Sequence, residues 1–309
     1  MASAPPHFVP SDVRLMPLRT LRTAVLVTAF NRKDKTLRCL ESLYRSTNSI
    51  RGHEFDIFLT DDMSSDGTAE AIKKEFPLVN VLLGDGNLFW CRGMILAWTY
   101  ASKCKDYDFY IWLNDDVMLF QTAISTMIRC SVIEKRAAII SGAFRSELEN
   151  APTYGGIVHG ELMVPDGHKR ELDLLNGNCV VVPRAVFEKI GMLDSSFHHG
   201  MGDHDYGLRA KKAGVRVLMT PEYVGYCERH DTELLECYDS RYSLVSRVRF
   251  LYSPAGPNPV VNARFFWRHY SILETVRFLV TTNLVTVFPC LLGLRRKWIR
   301  FVDGLKPKL

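Results

Sequence analysis

No C-x-x-C pair occurs among the eight cysteines (Cys39, Cys91, Cys104, Cys130, Cys179, Cys227, Cys237 and Cys290). Their spacing fits neither a zinc site nor the dense framework of a small secreted domain, so they read as reduced thiols of a cytosolic protein. No apolar segment interrupts the opening twenty residues, MASAPPHFVPSDVRLMPLRT, which argues against a secretory signal. There is no internal repeat and no low-complexity stretch. No G-x-G-x-x-G follows the first apolar run, which weighs against a nicotinamide dehydrogenase. A span of about twenty predominantly apolar residues is also missing. The uncharged run Phe278–Leu294 (FLVTTNLVTVFPCLLGL) is shorter and carries threonine, asparagine, Pro289 and Gly293.

What is present is the balance of an ordinary folded protein, with 47% hydrophobic and 24% charged residues in 309. That length suits one large domain, or one domain with an appendage. The net charge is +5, but from Arg264 to the C-terminus nine Lys and Arg face two acids, Glu274 and Asp303. The tail therefore carries +7 and the rest −2. Such a tail calls for an acidic partner, here an anionic membrane surface rather than nucleic acid.

Along the chain, Thr23–Phe30 (TAVLVTAF) reads as a buried strand, with Leu37, Leu40, Leu43 and Tyr44 following at helical spacing. Phe55–Thr60 is a second strand running into Asp61-Asp62, and Ala69–Phe76 follows a turn as a helix. Val79–Leu83 is a third strand, with Met94, Ala97, Trp98 and Ala101 marking the next helix. Phe109–Leu113 is a fourth strand, ending at Asn114-Asp115-Asp116. Alternating strands and helices predict a doubly wound, mostly parallel sheet, whose ligands bind beyond the strand carboxyl ends. Gly142–Leu175 reads as a small antiparallel insertion. Asn176–Val182 is a strand closed by Pro183, before a helix Arg184–Ile190 capped by Gly191. A helix over about His204–Ala213 and a strand Val215–Thr220 complete the pattern. The division is a lead-in over 1–20, a catalytic domain over 21–245 and a helical C-terminal region over 246–309.

Four clusters could do chemistry. Thr60–Thr68 (TDDMSSDGT) has the composition of turn and cap residues, yet its carboxylates could also accept from a base N–H or ribose hydroxyls. Asp115 and Asp116 repel each other and gain little structurally, whereas a hard divalent cation, Mg²⁺ or Mn²⁺, would use their oxygens. In Gly202-Asp203-His204-Asp205, residues two apart on a helix cannot share a task. Asp205 pairs with Arg209 at i,i+4 and reads as structural. Asp203 sits at the helix start, as an N-cap or as a carboxylate presented to a cleft. His230, in Glu228-Arg229-His230-Asp231, carries little weight alone.

Taken in order, the motifs resemble the family 2 glycosyltransferases, which have the GT-A fold. Val27-Thr28-Ala29-Phe30-Asn31-Arg32 is similar to the opening V-T-x-[YF]-N-R, and Asp61-Asp62-x-Ser64-x-Asp66-Gly67-Thr68 to D-D-x-S-x-D-G-T. Asn114-Asp115-Asp116 resembles the metal-binding D-x-D, Asn176-Gly177-Asn178-Cys179 the strand before the acceptor region, and Gly202-Asp203-His204-Asp205 the E-D-x-D. Gly84–Trp90 (GDGNLFW) and Leu113–Val117 (LNDDV) look most like rhamnosyltransferase-type members. The resemblance implies that Thr28, Phe30, Asn31, Asp61 and Asp62 hold the nucleoside. It implies that Asn114 and Asp115 touch ribose or donor sugar, that Asp116 and His230 bind the metal, and that Asp203 is the general base. Arg92 could reach the diphosphate or be solvated. Gly202 departs from the family's usual acid, which touches acceptor contacts rather than Asp203.

The activity this implies is inverting, metal-dependent transfer from a nucleoside-diphosphate sugar to a hydroxyl of a glycan or glycolipid, with dTDP-rhamnose the first donor and UDP sugars next. The rivals are a nucleotidyltransferase, whose glycine-rich phosphate loop is missing from Thr28–Arg32, and a non-catalytic membrane-bound scaffold of the same fold. The C-terminal helices are expected to lie on the cytoplasmic face of a membrane, their alternatives being to pack on the catalytic domain or on a second copy in a homo-oligomer. On that reading, truncation at about Arg264 leaves the catalytic domain folded.

Overall fold

The computed structural model describes residues 20–229 and 235–293. The first half alternates strand and helix: β1 (Leu21–Ala29), α1 (Lys33–Thr47), β2 (His53–Asp61), α2 (Thr68–Glu75), β3 (Asn80–Leu83), α3 (Phe89–Cys104) and β4 (Phe109–Asn114). Then come β5 (Met118–Leu119), α4 (Ala123–Ile133) and β6 (Ala138–Arg145), of which the sequence reading anticipated none. Five short strands follow: β7 (Pro152–Tyr154), β8 (Gly156–Val158), β9 (Glu161–Leu162), β10 (Arg170–Glu171) and β11 (Leu174–Leu175). The chain continues with β12 (Cys179–Pro183), α5 (Arg184–Ile190), α6 (Gly202–Lys212) and β13 (Arg216–Tyr226). Three helices close it, α7 (Leu244–Leu251), α8 (Pro259–His269) and α9 (Ile272–Val287).

The main sheet runs β10-β13-β6-β12-β4-β1-β2-β3. β1 pairs in parallel with β2 and β4, while β12 is antiparallel to both β4 and β6. β8, β9 and β11 form the separate antiparallel sheet expected within Gly142–Leu175. The central strands are buried on both faces, so they read as continuous apolar runs. In β1, Ala24 and Leu26 enter one core while Val25, Val27 and Ala29 enter the other. α3 covers the first face with Met94, Ala97 and Trp98, and α1 and α4 cover the second with Leu40, Leu43 and Met127. Burial of each such side chain contributes about 1.5–3 kcal/mol.

The C-terminal helices start at side-chain caps: Ser243 for α7, Asn258 with Pro259 at the first position for α8, and Ser271 for α9. They belong to the catalytic body. Phe265, Phe266, Tyr270 and Phe278 sit in the same core as Trp98 and Tyr206. Arg268 and His269 reach the fully buried Asp205 on α6. A cut at Arg264 would remove the second half of α8 and all of α9, and with them Phe265, Phe266, Tyr270 and Phe278 of that core. The opposite side of α9 is exposed at Ile272, Val276, Val280, Leu284 and Phe288, a stripe of four-residue spacing. No helix among the described residues is long and apolar enough to cross a membrane.

Candidate active site

The sheet gathers its polar residues at the carboxyl ends of β1, β2 and β4. Thr28, near the end of β1, is in register with Thr60 on one side and Asn114 on the other. Phe30 follows, half exposed at 51%. Asn31 takes a positive φ of 50° and ties two loops together, donating from its N–H to Ser64 Oγ (2.9 Å) and accepting from Ser65 N–H (2.7 Å). Asp61 ends β2 and accepts from the backbone N–H and hydroxyl of Ser64. Asp62 accepts from three backbone amides, Gly86 (2.8 Å), Leu88 (2.9 Å) and Phe89 (3.0 Å), at the start of α3. It therefore shapes the Gly84–Phe89 wall of the cleft. A carboxylate has about four lone-pair sites, so capacity for a nucleoside contact remains.

Beyond β4, Asp115 and Asp116 share one guanidinium: Arg32 Nη1 lies 3.2 Å from Asp115 Oδ1 and 3.0 Å from Asp116 Oδ2. Burial raises the Asp115 carboxyl to about 6, outweighing Arg32, and the neighbouring charge of Asp116 adds to the rise. Cys227 Sγ stands 3.9 Å from Asp116 Oδ1 at the end of β13. The hard oxygens of these two adjacent carboxylates fit Mg²⁺ or Mn²⁺. Among the described residues, no three His, Cys, Asp or Glu side chains group as a metal site. His230 lies outside the described residues.

Asp203 is the second residue of α6, and its carboxylate accepts from Gly177 N–H and His204 N–H, both at 2.9 Å. Trp90 links this group to β4. Its indole N–H donates to Asn114 Oδ1 at 2.7 Å, while its ring lies so close to Gly177 that a Cβ there would stand 2.7 Å away. The same Cβ would come within 3.2 Å of Asp203 Cβ, so a side chain at 177 would crowd both Trp90 and Asp203. Gly202, where the family has an acid, faces Cys91: an added Cβ would lie 2.7 Å from its sulfur. Larger residues at 202 need Cys91 to move.

Arg92 donates from Nε to Ser195 O at 2.9 Å, anchoring the loop ahead of α6. The guanidinium at the acidic pair is thus that of Arg32, because Arg32 leads into α1 directly beside β4. Sequence reasoning placed neither Trp90 nor His199 in the site. His199 lies within electrostatic reach of Arg32 and Asp203, and packs edge-on against Phe89 with ring centres 6.3 Å apart. No motif flags it, since it sits in a turn-rich loop.

Sheet order, paired loops and an acidic pair after the fourth strand are those of a GT-A glycosyltransferase. The model of "Glycosyl transferase family 2" matches residues 24–186, more than half of the chain, and the chain belongs to that family. No curated protein matches the sequence. Among solved structures, mannosyltransferase PcManGT from Pyrobaculum calidifontis in complex with GDP-Man and Mn²⁺ is similar with a TM-score of 0.53 and 13% identity, over 86% of this chain and 74% of that one. S. aureus TarS is similar with a TM-score of 0.52 and 13% identity, over 82% and 44%. GalNAc-T7 with UDP, GalNAc and Mn²⁺ is similar at 0.52 and 15% identity, over 76% and 48%. This chain spans less than half the length of the latter two. At such identities the likeness is one of fold.

Proposed function

We propose that the enzyme transfers a sugar with inversion from a nucleoside-diphosphate donor to a hydroxyl of a glycan or lipid-linked glycan, with dTDP-rhamnose as the first donor to test. The reading rests on one observation: Trp90 bonds Asn114, beside the Asp115–Asp116 pair, and lies against Gly177, whose N–H holds the Asp203 carboxylate. Exposed Phe30 is available to border the base, and the loop built on Asp62 encloses the nucleoside. Asp203 takes the proton of the attacking acceptor hydroxyl as its oxygen reaches the anomeric carbon. A single base without a second carboxylate nucleophile fits one displacement. Asp116 and Asp115 would hold Mg²⁺ or Mn²⁺, with His230 as the further ligand implied by the family, and the bound cation would offset charge on the departing diphosphate. A nucleotidyltransferase is less well supported, since the Thr28–Arg32 loop offers no glycine-rich phosphate cradle.

Asp116→Ala should reduce donor affinity in Mn²⁺ to the level seen in chelator. Calorimetry with dTDP-rhamnose and UDP-glucose measures this, and unchanged affinity would overturn the cation assignment. Donor hydrolysis across several nucleotide sugars tests the choice of sugar.

The exposed stripe on α9, followed in sequence by Arg295-Arg296-Lys297, supports attachment to an anionic membrane surface on its cytoplasmic face. Each basic residue near such a surface contributes about 1 kcal/mol. Co-sedimentation with phosphatidylserine vesicles should fall at high salt and should fall further for the combined Val276→Asp, Val280→Asp, Leu284→Asp variant. Binding indifferent to both changes would refute it. A change in particle size by light scattering without lipid would point to a homo-oligomer instead.

A further inference from the structure

A cavity of about 220 Å³ opens between the loop His198–Met201 and the segment Pro254–Asn262 that leads into α8. The first wall runs directly into α6, where Asp203 is two residues beyond Met201. It is fixed from behind, since Cys91 N–H donates to His198 O at 2.9 Å. The second wall comes from the C-terminal helical region, and Asn258, which caps α8, holds it by donating to Tyr252 O at 2.8 Å. The cavity is therefore built jointly by the loop that leads into the base-bearing helix and by the C-terminal segment, both beyond the residues that the family model matches.

Its chemistry is uniform. Among the described residues, no Lys, Arg, Asp or Glu lines it. Met201, Pro254 and Val261 offer apolar surface, while the buried carboxamide of Asn262 and the rings of His198 and His199 offer hydrogen bonds. A phosphate or carboxylate here would lose water without gaining a counter-charge, which is costly. A sugar ring, apolar across its C–H face and rimmed by hydroxyls, matches both kinds of wall. Burial lowers both imidazoles from their ordinary value, so the lining stays neutral at pH 7.

We infer that this cavity is the acceptor subsite and that it takes an uncharged sugar residue, presenting a hydroxyl to Asp203. The inference rests on the transferase reading above. It assigns the C-terminal segment a part in acceptor choice as well as in stability.

The test is saturation-transfer NMR on the full chain with methyl α-L-rhamnoside, methyl β-D-glucoside, methyl β-D-glucuronide and inorganic phosphate as probes. At least one neutral glycoside should give a signal, and the glucuronide and phosphate none. Ala255→Trp places bulk at an exposed position on the cavity rim, and Asn262→Leu removes the carboxamide at nearly constant volume. Each should weaken the neutral signal at least fivefold. Both variants should bind dTDP with Mn²⁺ as the wild type does, which also shows that they are folded. Absence of any neutral signal, a stronger signal from glucuronide or phosphate, or undiminished signals in both variants overturns the assignment. If wild-type protein binds neither dTDP nor UDP, the transferase reading falls instead, and the glycoside signals still decide the cavity.

Discussion

Asp203→Asn lowers sugar transfer by roughly 10²–10⁴-fold, the usual worth of a general base, while donor affinity stays near the wild-type value. The carboxylate is held by Gly177 N–H and His204 N–H at the start of α6, so its direction is set before any substrate arrives. Asparagine keeps the shape and one acceptor oxygen but cannot take a proton. The proposed donor contacts are elsewhere, on Asp115, Asp116 and the loops around Asp62, and should be untouched. The measurement is transfer kcat/KM beside calorimetric donor affinity. Transfer within about threefold of wild type would remove Asp203 as the base. His199 would then be the next candidate, as it lies within electrostatic reach of both Arg32 and Asp203. Asp205, two residues along, is no substitute: it has no exposure at all.

How far the sequence reaches is clear from these same residues. The ends of β2 and β4 were legible because an apolar run stops at acids, and Asp61 and Asn114 do end those strands. The Asp205–Arg209 pair was legible from i,i+4 spacing and stands at 2.8 Å. Orientation was not legible in the same way. Asn176–Val182 reads as a buried strand whichever way it runs, and β12 proves antiparallel to its neighbours. Partners brought from afar were equally hidden. Arg32 meets the acidic pair, and Trp90 bonds Asn114 while lying against Gly177, because tertiary approach and not spacing decides both. In the C-terminal helices, Phe265, Phe266 and Phe278 read as part of a basic, apolar tail, yet they enter the core. An amphipathic helix has two faces, and composition does not say which one the protein already covers.

That covered face sets the second large effect, because Asp205 is the fastening point of α8. Its Oδ2 accepts from Arg209 Nε at 2.8 Å, and its Oδ1 accepts from Arg268 Nη1 at 2.7 Å and His269 Nε2 at 2.9 Å. The carboxylate can only accept, so His269 must carry its proton on Nε2. Asp205→Ala leaves these groups without their shared acceptor and should destabilise the fold by about 3–5 kcal/mol, as breaking one side of a buried ion pair does. Urea unfolding measures it, and a loss below about 1 kcal/mol would sink the idea. The pH dependence adds an independent sign. Burial raises the Asp205 carboxyl, but the bonds from His269 and Arg209 outweigh that and hold it below the ordinary range. Asp194 is likewise brought down to about 2 by Ser196 and Arg268 against its burial. Carboxyls with lowered folded values contribute stability above about pH 4 and lose it as pH falls toward 2. Wild type should therefore weaken steeply over that window, and Asp205→Ala should weaken less, since part of what acid removes is already gone. Identical slopes would mean that Asp205 is not what couples α8 to the helix bearing Asp203.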